Sequence, residues 1–442
     1  MVFNYPPPLV AKGVLVGDLG DLFMKFIADF HLHSKYSRAT SPQMDLEHLN
    51  NAAKIKGIKI LTIGDFTHPE WLKNLKEKLE SAETGLFRLK ASTRPGDVYT
   101  RFILTTEVSC IYSKTGRIRK IHIIIFAPSF ETVEKINTHL GWIGNLKADG
   151  RPILGLDAKE LTKIVLGISE NCLIVPAHLW TPYFGLLGSK SGFNSIEECF
   201  EDYSKYIYAG ETGLSSDPSM NWRLSVLDRI TLISNSDAHS PQKIGREANV
   251  FDTEISYPAI IEAIKSKNPQ KFLYTIEFYP EEGKYHYDGH RLCGISLSPA
   301  ESKKYNNICP NCGRSLTIGV LNRVEELADR PNGFKPAASI PFKSLIPLEE
   351  IIADAIGQGT GTIEVDKEYK NLIEKFSNEF SVLIDISRSE LEAVTLSEIA
   401  EGIIRVREGK VNIEPGYDGV YGKIRIFSKG EQKTLSRQGT LF

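Results

Sequence analysis

The chain has 442 residues, is 41% hydrophobic and 24% charged, and carries a formal net charge of −2. That is ample for a large core in two to four domains; it excludes a disulfide-knit miniprotein and a whole-chain field that draws polyanions. No apolar run approaches the about 18 residues of a membrane span, and the opening MVFNYPPPLV lacks the basic stretch of a signal peptide, so a cytoplasmic protein is expected, with no membrane partner.

Residues 1–23 read as a peripheral extension, since strand-like sequence starts only at Met24. Seven short β-branched apolar runs follow: Phe26–Phe30, Ile58–Ile63, Arg101–Thr106, Lys120–Phe126, Cys172–Ala177, Ile207–Glu211 and Ile230–Asn235. Such runs read as buried parallel strands. Helical spacing lies between most of them, at Asp45–Lys56, Pro69–Leu79, Phe130–Leu140, Ala158–Ser169 and Ser195–Tyr206. Strand and helix alternating over residues 24–280 predict an α/β barrel or an open α/β sheet. From Ala53 to His122 there are 14 Lys and Arg against 7 Asp and Glu, which reads as a basic face or as a solvated helical surface. Residues 281–340 are rich in Gly, Cys, His and Tyr and read as a small module. Residues 341–428 turn helical, and 429–442 form a polar tail. GQGTG at Gly357–Gly361 is too short to signal a dinucleotide site.

The chemistry gathers where these strands end. The first run leads into His31 and His33, two apart and so on one side of an extended chain. The second leads to Asp65 and His68, and the third to Glu107. The fourth contains His122 near its start. The fifth leads to His178, and the seventh to Asp237 and His239. In a parallel α/β fold these ends share one face. Mixed His and carboxylate ligands suit zinc, manganese or iron. Nine candidates exceed the needs of one ion, so two to three divalent metals (Zn, Mn, Fe or Mg) are expected, bridged by a carboxylate such as Glu107. Ions about 3.5–4 Å apart activate water and clamp both oxygens of a phosphoryl displacement. Asp237, Glu107 and His239 are the expected catalytic residues. A lone helical histidine is more often a satisfied core residue, and His48 and His139 are read so.

This order of motifs (HLH, GDFTH, TE, a single His, PAH, SDAH) resembles the polymerase-and-histidinol-phosphatase (PHP) superfamily. The resemblance implies a distorted barrel of seven βα units. It implies that His31, His33, Glu107 and Asp237 hold one metal, that Glu107, His122 and His178 hold a second, and that His239 joins a third. The chain departs from the commonest pattern at Asp65-Phe66, where the family often has Asp-His, and at Ala39, where it often has His. The stretches GDFTHPEW, HLWTPYFGLLGSKSGF, ETGLSSDPSMNWR, SNSDAHSPQKIGREAN, ICPNCGRSLTIGVLNRVEELADRP and PGYDGVYGKIRIF resemble the endonuclease Q family over Met24 to the C-terminus. That resemblance implies incision of DNA 5′ of deaminated bases (uracil, hypoxanthine, xanthine) and of abasic sites.

His290, Cys293, Cys309 and Cys312 form HxxC followed by CxxC, four soft ligands for one closed, structural zinc, with His286 as the rival histidine. A redox CxxC lacks its βαβ context here. The loop after His178 carries Trp180, Tyr183 and Phe184, candidates to stack on a flipped base, with Lys190 and Arg223 as candidate phosphate contacts. Ser189 before Lys190 breaks any Walker pattern. The terminal QGTLF (Gln438, Leu441, Phe442) looks like a sliding-clamp (PCNA) peptide. Lesion-bearing double- or single-stranded DNA is thus the expected partner. A small-molecule phosphatase and a non-catalytic metal-binding DNA adaptor are the alternatives; the appended module argues against the first, and the full ligand set against the second.

Overall fold

The computed structural model describes residues 24–90, 99–428 and 431. Twelve strands precede the module: β1 (Met24–Asp29), β2 (Ile60–Thr62), β3 (Leu79–Ser81), β4 (Phe87–Leu89), β5 (Arg101–Lys114), β6 (Arg117–Ala127), β7 (Ile153–Leu154), β8 (Leu173–Pro176), β9 (Ala209–Glu211), β10 (Thr231–Ile233), β11 (Ala248–Thr253) and β12 (Phe272–Glu277). All seven apolar runs form strands; β3, β4, β7, β11 and β12 were not expected. Helices lie at Leu46–Lys56, Pro69–Lys78, Phe130–Ile143 and Ala158–Ile168, as the spacing predicts. The fifth expected helix, Ser195–Tyr206, forms as an α-helix over Ile196–Phe200 and a 3₁₀ helix over Glu201–Tyr206, with the break at Glu201, whose φ is 50°.

Strands β1, β2 and β5 run parallel. The rest corrects the all-parallel expectation. Strand β6 returns antiparallel along β5, β8 is antiparallel to β6, and β11 is antiparallel to β1. The reason is local: Thr115 and Gly116 both take positive φ between β5 and β6, the two-residue turn whose twist matches a hairpin. The hydrogen-bonded core is therefore a mixed eleven-stranded sheet with a separate parallel β9–β10 pair. The two are laced together at the strand ends. Leu179 N–H donates to Glu211 O, and Asn235 Oδ1 accepts from Phe30 N–H and from Asn249 Nδ2. One core lies among Phe26, Phe30, Phe126, Phe251 and Phe272, whose rings contact one another; burial of each contributes roughly 1.5–3 kcal/mol.

Part of the basic surplus is ion-paired. Lys76 meets Glu134, Lys78 meets Glu47, Arg88 meets Glu80 and Arg101 meets Glu83, which favours the solvated-surface reading.

The module holds β13 (Asp288–His290), β14 (Ile295–Leu297) and helices Pro299–Lys304 and Val320–Leu327. The chain then rejoins the main sheet through β15 (Phe342–Ser344), parallel to β12. The helical region follows, with Leu348–Ile356, Ile363–Phe376 and Ser397–Arg407, then the hairpin β16 (Asn412–Glu414) and β17 (Lys423–Arg425). A buried Lys56–Glu379 pair at 2.8 Å, with Tyr369 donating to the same carboxylate, fastens this region to helix Leu46–Lys56. No helix among the described residues is long and apolar enough to cross a membrane. Residues 1–23 and the tail residues Gln438, Leu441 and Phe442 lie outside the described residues.

Candidate metal centre

Two trios of ligand atoms face one another across Glu107. In the first, His31 Nε2 and His33 Nε2 lie 3.7 and 3.2 Å from Asp237 Oδ1. In the second, His122 Nδ1 and His178 Nε2 lie 2.8 and 3.1 Å from Glu107 Oε1, and 3.2 Å from each other. Glu107 also reaches the first trio, with Oε1 3.7 Å from His31 Nε2 and Oε2 3.4 Å from His33 Nε2. The antiparallel return of β6 explains why His122 serves from mid-strand. It sits opposite Ser109, two residues beyond Glu107 on β5.

These groups fit divalent cations. His31 Nε2, His33 Nε2 and Asp237 Oδ1 are buried and misaligned for hydrogen bonding despite their closeness. Buried polar atoms are seldom left so without an unseen partner. The rear nitrogens of three of the four histidines are held. His31 Nδ1 meets Glu211 at 3.0 Å, His33 Nδ1 meets Asp65 at 3.0 Å, and His178 Nδ1 meets Thr181 Oγ1 at 2.8 Å. Such rear contacts fix tautomer and ring orientation in metal sites. Asp65, His178 and Asp237 take left-handed backbone (φ 51°, 28° and 46°), strain that persists only where the surroundings over-determine it.

Electrostatics agree. Burial opposes charge on His31 and His33, yet the facing carboxylates outweigh it and hold both imidazoles well above their ordinary pKa. Burial likewise opposes the ionised forms of Glu107 and Asp237, and the surrounding imidazoles win, holding both well below the usual carboxylate range. His122 is the exception: burial outweighs Glu107 and takes it down to about 4.

Three expected ligands stand elsewhere. Asp65 accepts from His33, Ser34 N–H, Ser34 Oγ and Ser37 Oγ; its oxygens are spent orienting His33. His68 stacks on Tyr36 at 4.4 Å, outside both trios, because it caps the next helix rather than ending a strand. His239 packs its ring 4.7 Å from His33, and its Nδ1 sits 3.0 Å from Asp237 O. Among the described residues, the ligand atoms gathered at this centre form these two trios, and none of the three residues belongs to either. Sequence reading missed Glu211, although it closes the sixth run, and Arg151, whose Nη1 lies 3.1 Å from Glu107 Oε2.

A family model described as MJ0043 C-terminal domain matches residues 347–410, and one described as PHP-associated matches 229–269. Curated relatives include the uncharacterized Methanocaldococcus jannaschii protein MJ0043, 36% identical over 296 residues, and the uncharacterized Bacillus subtilis protein YqxK, 29% identical over 420 residues. The first match covers 64% of this chain and 34% of the archaeal protein, so the chain spans about a third of that relative; the second covers 91% of this chain and 99% of YqxK. The crystal structure of the lesion-specific endonuclease PfuEndoQ from Pyrococcus furiosus superposes with a TM-score of 0.81 and 30% identity, covering 91% of this chain and 95% of that one. The chain belongs to the endonuclease Q family. A structure of endonuclease Q with a 27-mer duplex substrate, an abasic lesion at its active site, agrees at TM-score 0.79 and 30% identity, covering 92% of this chain and 98% of that one.

In this endonuclease Q family member the cysteine module gathers His290, Cys293, Cys309 and Cys312 as one ligand group, with Cys312 Sγ 3.4 Å from His290 Nδ1. His286 is buried apart from it, against Tyr287. Desolvation opposes a thiolate at Cys309, but the Cys312 and Asn311 N–H groups bring its pKa down to about 7; a thiolate is the form that binds zinc.

Two of the expected DNA-contact residues are buried instead. Trp180 is 1% exposed and donates to Asn221 Oδ1 at 2.8 Å, so it is core and cannot stack on a base. Arg223 is buried and paired with Glu325 at 2.6 Å, so its charge is spent holding helix Val320–Leu327. Tyr183 is 55% exposed, Lys190 is exposed, and Phe184 packs its ring 4.3 Å from His122. Arg323, from that same helix, donates to Leu187 O, Phe193 O and Asn194 Oδ1, pinning the loop.

Proposed function

We propose that this protein is a metal-dependent DNA-repair endonuclease that hydrolyses the phosphodiester 5′ of deaminated bases and abasic sites. The observation that carries the reading is that one buried carboxylate, Glu107, belongs to one ligand trio and reaches the other. His31, His33 and Asp237 would hold one cation and His122 and His178 the other, with Glu107 between them. Bound there, a pair of divalent ions supplies an activated water and neutralises phosphoryl charge. The chain's own groups do the rest. Glu211, Asp65 and Thr181 keep the imidazoles in ligating orientation. His239, one-third exposed at the mouth, is held below the ordinary histidine pKa mainly by burial, so it is neutral near pH 7 and suited to proton transfer. Tyr183, Phe184 and Lys190 border the His122 side, where an extruded nucleotide would lie. The C-terminal QGTLF is proposed as a clamp-docking peptide.

The test is an end-labelled duplex carrying one uracil, hypoxanthine or abasic site, incubated with Mg²⁺, Mn²⁺ or Zn²⁺. A nick immediately 5′ of the lesion is expected, and Asp237→Ala abolishes it while leaving DNA binding largely intact. Turnover of p-nitrophenyl phosphate or histidinol phosphate alone would move the site to a small-molecule phosphatase.

A further inference from the structure

Among the described residues Arg151 is the one arginine or lysine in contact with the shared carboxylate, and nothing in the ligand sets needs it. Its Nη1 lies 3.1 Å from Glu107 Oε2, with 27% of the side chain exposed against none of Glu107. It therefore spans from the floor of the centre to solvent. Its placement is enforced by backbone. Gly150 N–H donates to Tyr36 O, Thr67 Oγ1 donates to Gly150 O, and Ser109 N–H donates to Pro152 O. Asp149 Oδ1 accepts from Arg151 N–H. A Cβ at Gly150 would lie 2.3 Å from Asp65 Oδ2 and 2.4 Å from Ser37 Oγ, so only glycine lets this loop come so close. Arg246, also near the centre, is spent on the carbonyls of Ser236 and Asp237.

The contact with Glu107 is a poor resting place once cations are present. Glu107 Oε2 also faces the first trio, 3.4 Å from His33 Nε2, and a guanidinium and a divalent ion compete for one oxygen. Of the other carboxylates near the guanidinium, Asp237 belongs to a ligand trio and Asp149 pairs with Arg38 at 3.2 Å, so the guanidinium can take a further anion at the same mouth. A phosphodiester bound over the two ions supplies one, with oxygens that match a planar bidentate donor.

Resting on the function proposed above, we propose that Arg151 is a catalytic residue that grips a non-bridging oxygen of the scissile phosphate and stabilises the charge that builds there. Its removal would cost catalysis without costing metal.

The experiment compares wild type, Arg151→Ala and Arg151→Lys as full chains loaded with Mn²⁺. Nicking of the lesion duplex and hydrolysis of bis-p-nitrophenyl phosphate give kcat and KM; calorimetry gives Mn²⁺ affinity and the binding of inorganic phosphate to the loaded protein; melting reports folding. Expected for Arg151→Ala are a kcat loss of about 10²–10³-fold, phosphate binding weakened about tenfold or more, Mn²⁺ affinity unchanged or higher, and partial recovery with added guanidinium. Arg151→Lys keeps the charge but not the fork and falls between. Near-wild-type kcat and phosphate binding in Arg151→Ala would overturn the assignment, as would a kcat loss matched by an equal loss of Mn²⁺ affinity. If wild type hydrolyses bis-p-nitrophenyl phosphate but nicks no lesion, the DNA reading fails while Arg151 is still judged on phosphate binding.

Discussion

Glu211→Gln separates the shape of the centre from its electrostatics. Glu211 is fully buried, and its oxygens serve four contacts: His31 Nδ1 to both, Asn235 Nδ2 to Oε1 and His178 N–H to Oε2. Glutamine keeps the volume but offers one acceptor and one NH₂. Whichever way it turns, a donor that now meets oxygen meets another donor, and the charge behind His31 is gone. Loss of such a rear partner lowers metal affinity about 10–100-fold, or about 1.4–2.7 kcal/mol. The pH dependence has a definite sign. Burial opposes protonation of His31, and Glu211 leads the carboxylates that overcome it. Below that raised pKa an incoming cation must displace a proton, so wild-type affinity climbs with pH until the imidazole is neutral. In the variant the proton is held less tightly and the climb ends at lower pH, so the deficit is widest in alkali and narrows in acid. Calorimetric Mn²⁺ titrations from pH 5.5 to 8.5 measure both quantities. Wild-type affinity across that range would refute the argument, as would a deficit that widens toward acid.

Two other features yield predictions. Glu277 is buried, and burial, with nearby carboxylates, raises its pKa to about 8, against the hydroxyls of Thr275, Thr212 and Ser234 that favour its charge. Between the unfolded value of about 4.3 and about 8 the folded chain keeps a proton that the unfolded chain releases, so stability falls as pH rises through that window. Glu277→Gln, whose amide suits the same hydroxyls, flattens the decline; melting temperatures with the same slope in both proteins would discount it. Cys312→Ser removes one sulfur from the module's ligand group, and the expected result is loss of one tightly held zinc per chain and faster proteolysis within residues 281–340. Mn²⁺ binding at the two trios is retained; zinc content equal to wild type would contradict the ligand assignment.

The sequence by itself determined the elements and most of the chemistry. β-branched runs of strand length pack well on a pleated surface, and all seven became strands. HxH and DxH at strand ends put their side chains where a cation is reached, so His31, His33 and Asp237 converge. CxxC with an upstream HxxC left few other arrangements for four soft ligands. What only the tertiary structure decided is direction and pairing. Periodicity carries no sign, so nothing in the runs said that β6 turns back at Thr115–Gly116 and delivers His122 from mid-strand. Nor does composition tell a ligand from the residue behind it. Asp65 and Glu211 are both acids at strand ends, yet each finds its donors on the far side of a histidine. Trp180 and Arg223 read as exposed recognition groups because a loop sequence does not reveal what packs over it; Asn221 and Glu325, from elsewhere in the fold, claimed them. Arg151 had no signal at all, since its role depends on a glycine-enabled approach between segments distant along the chain.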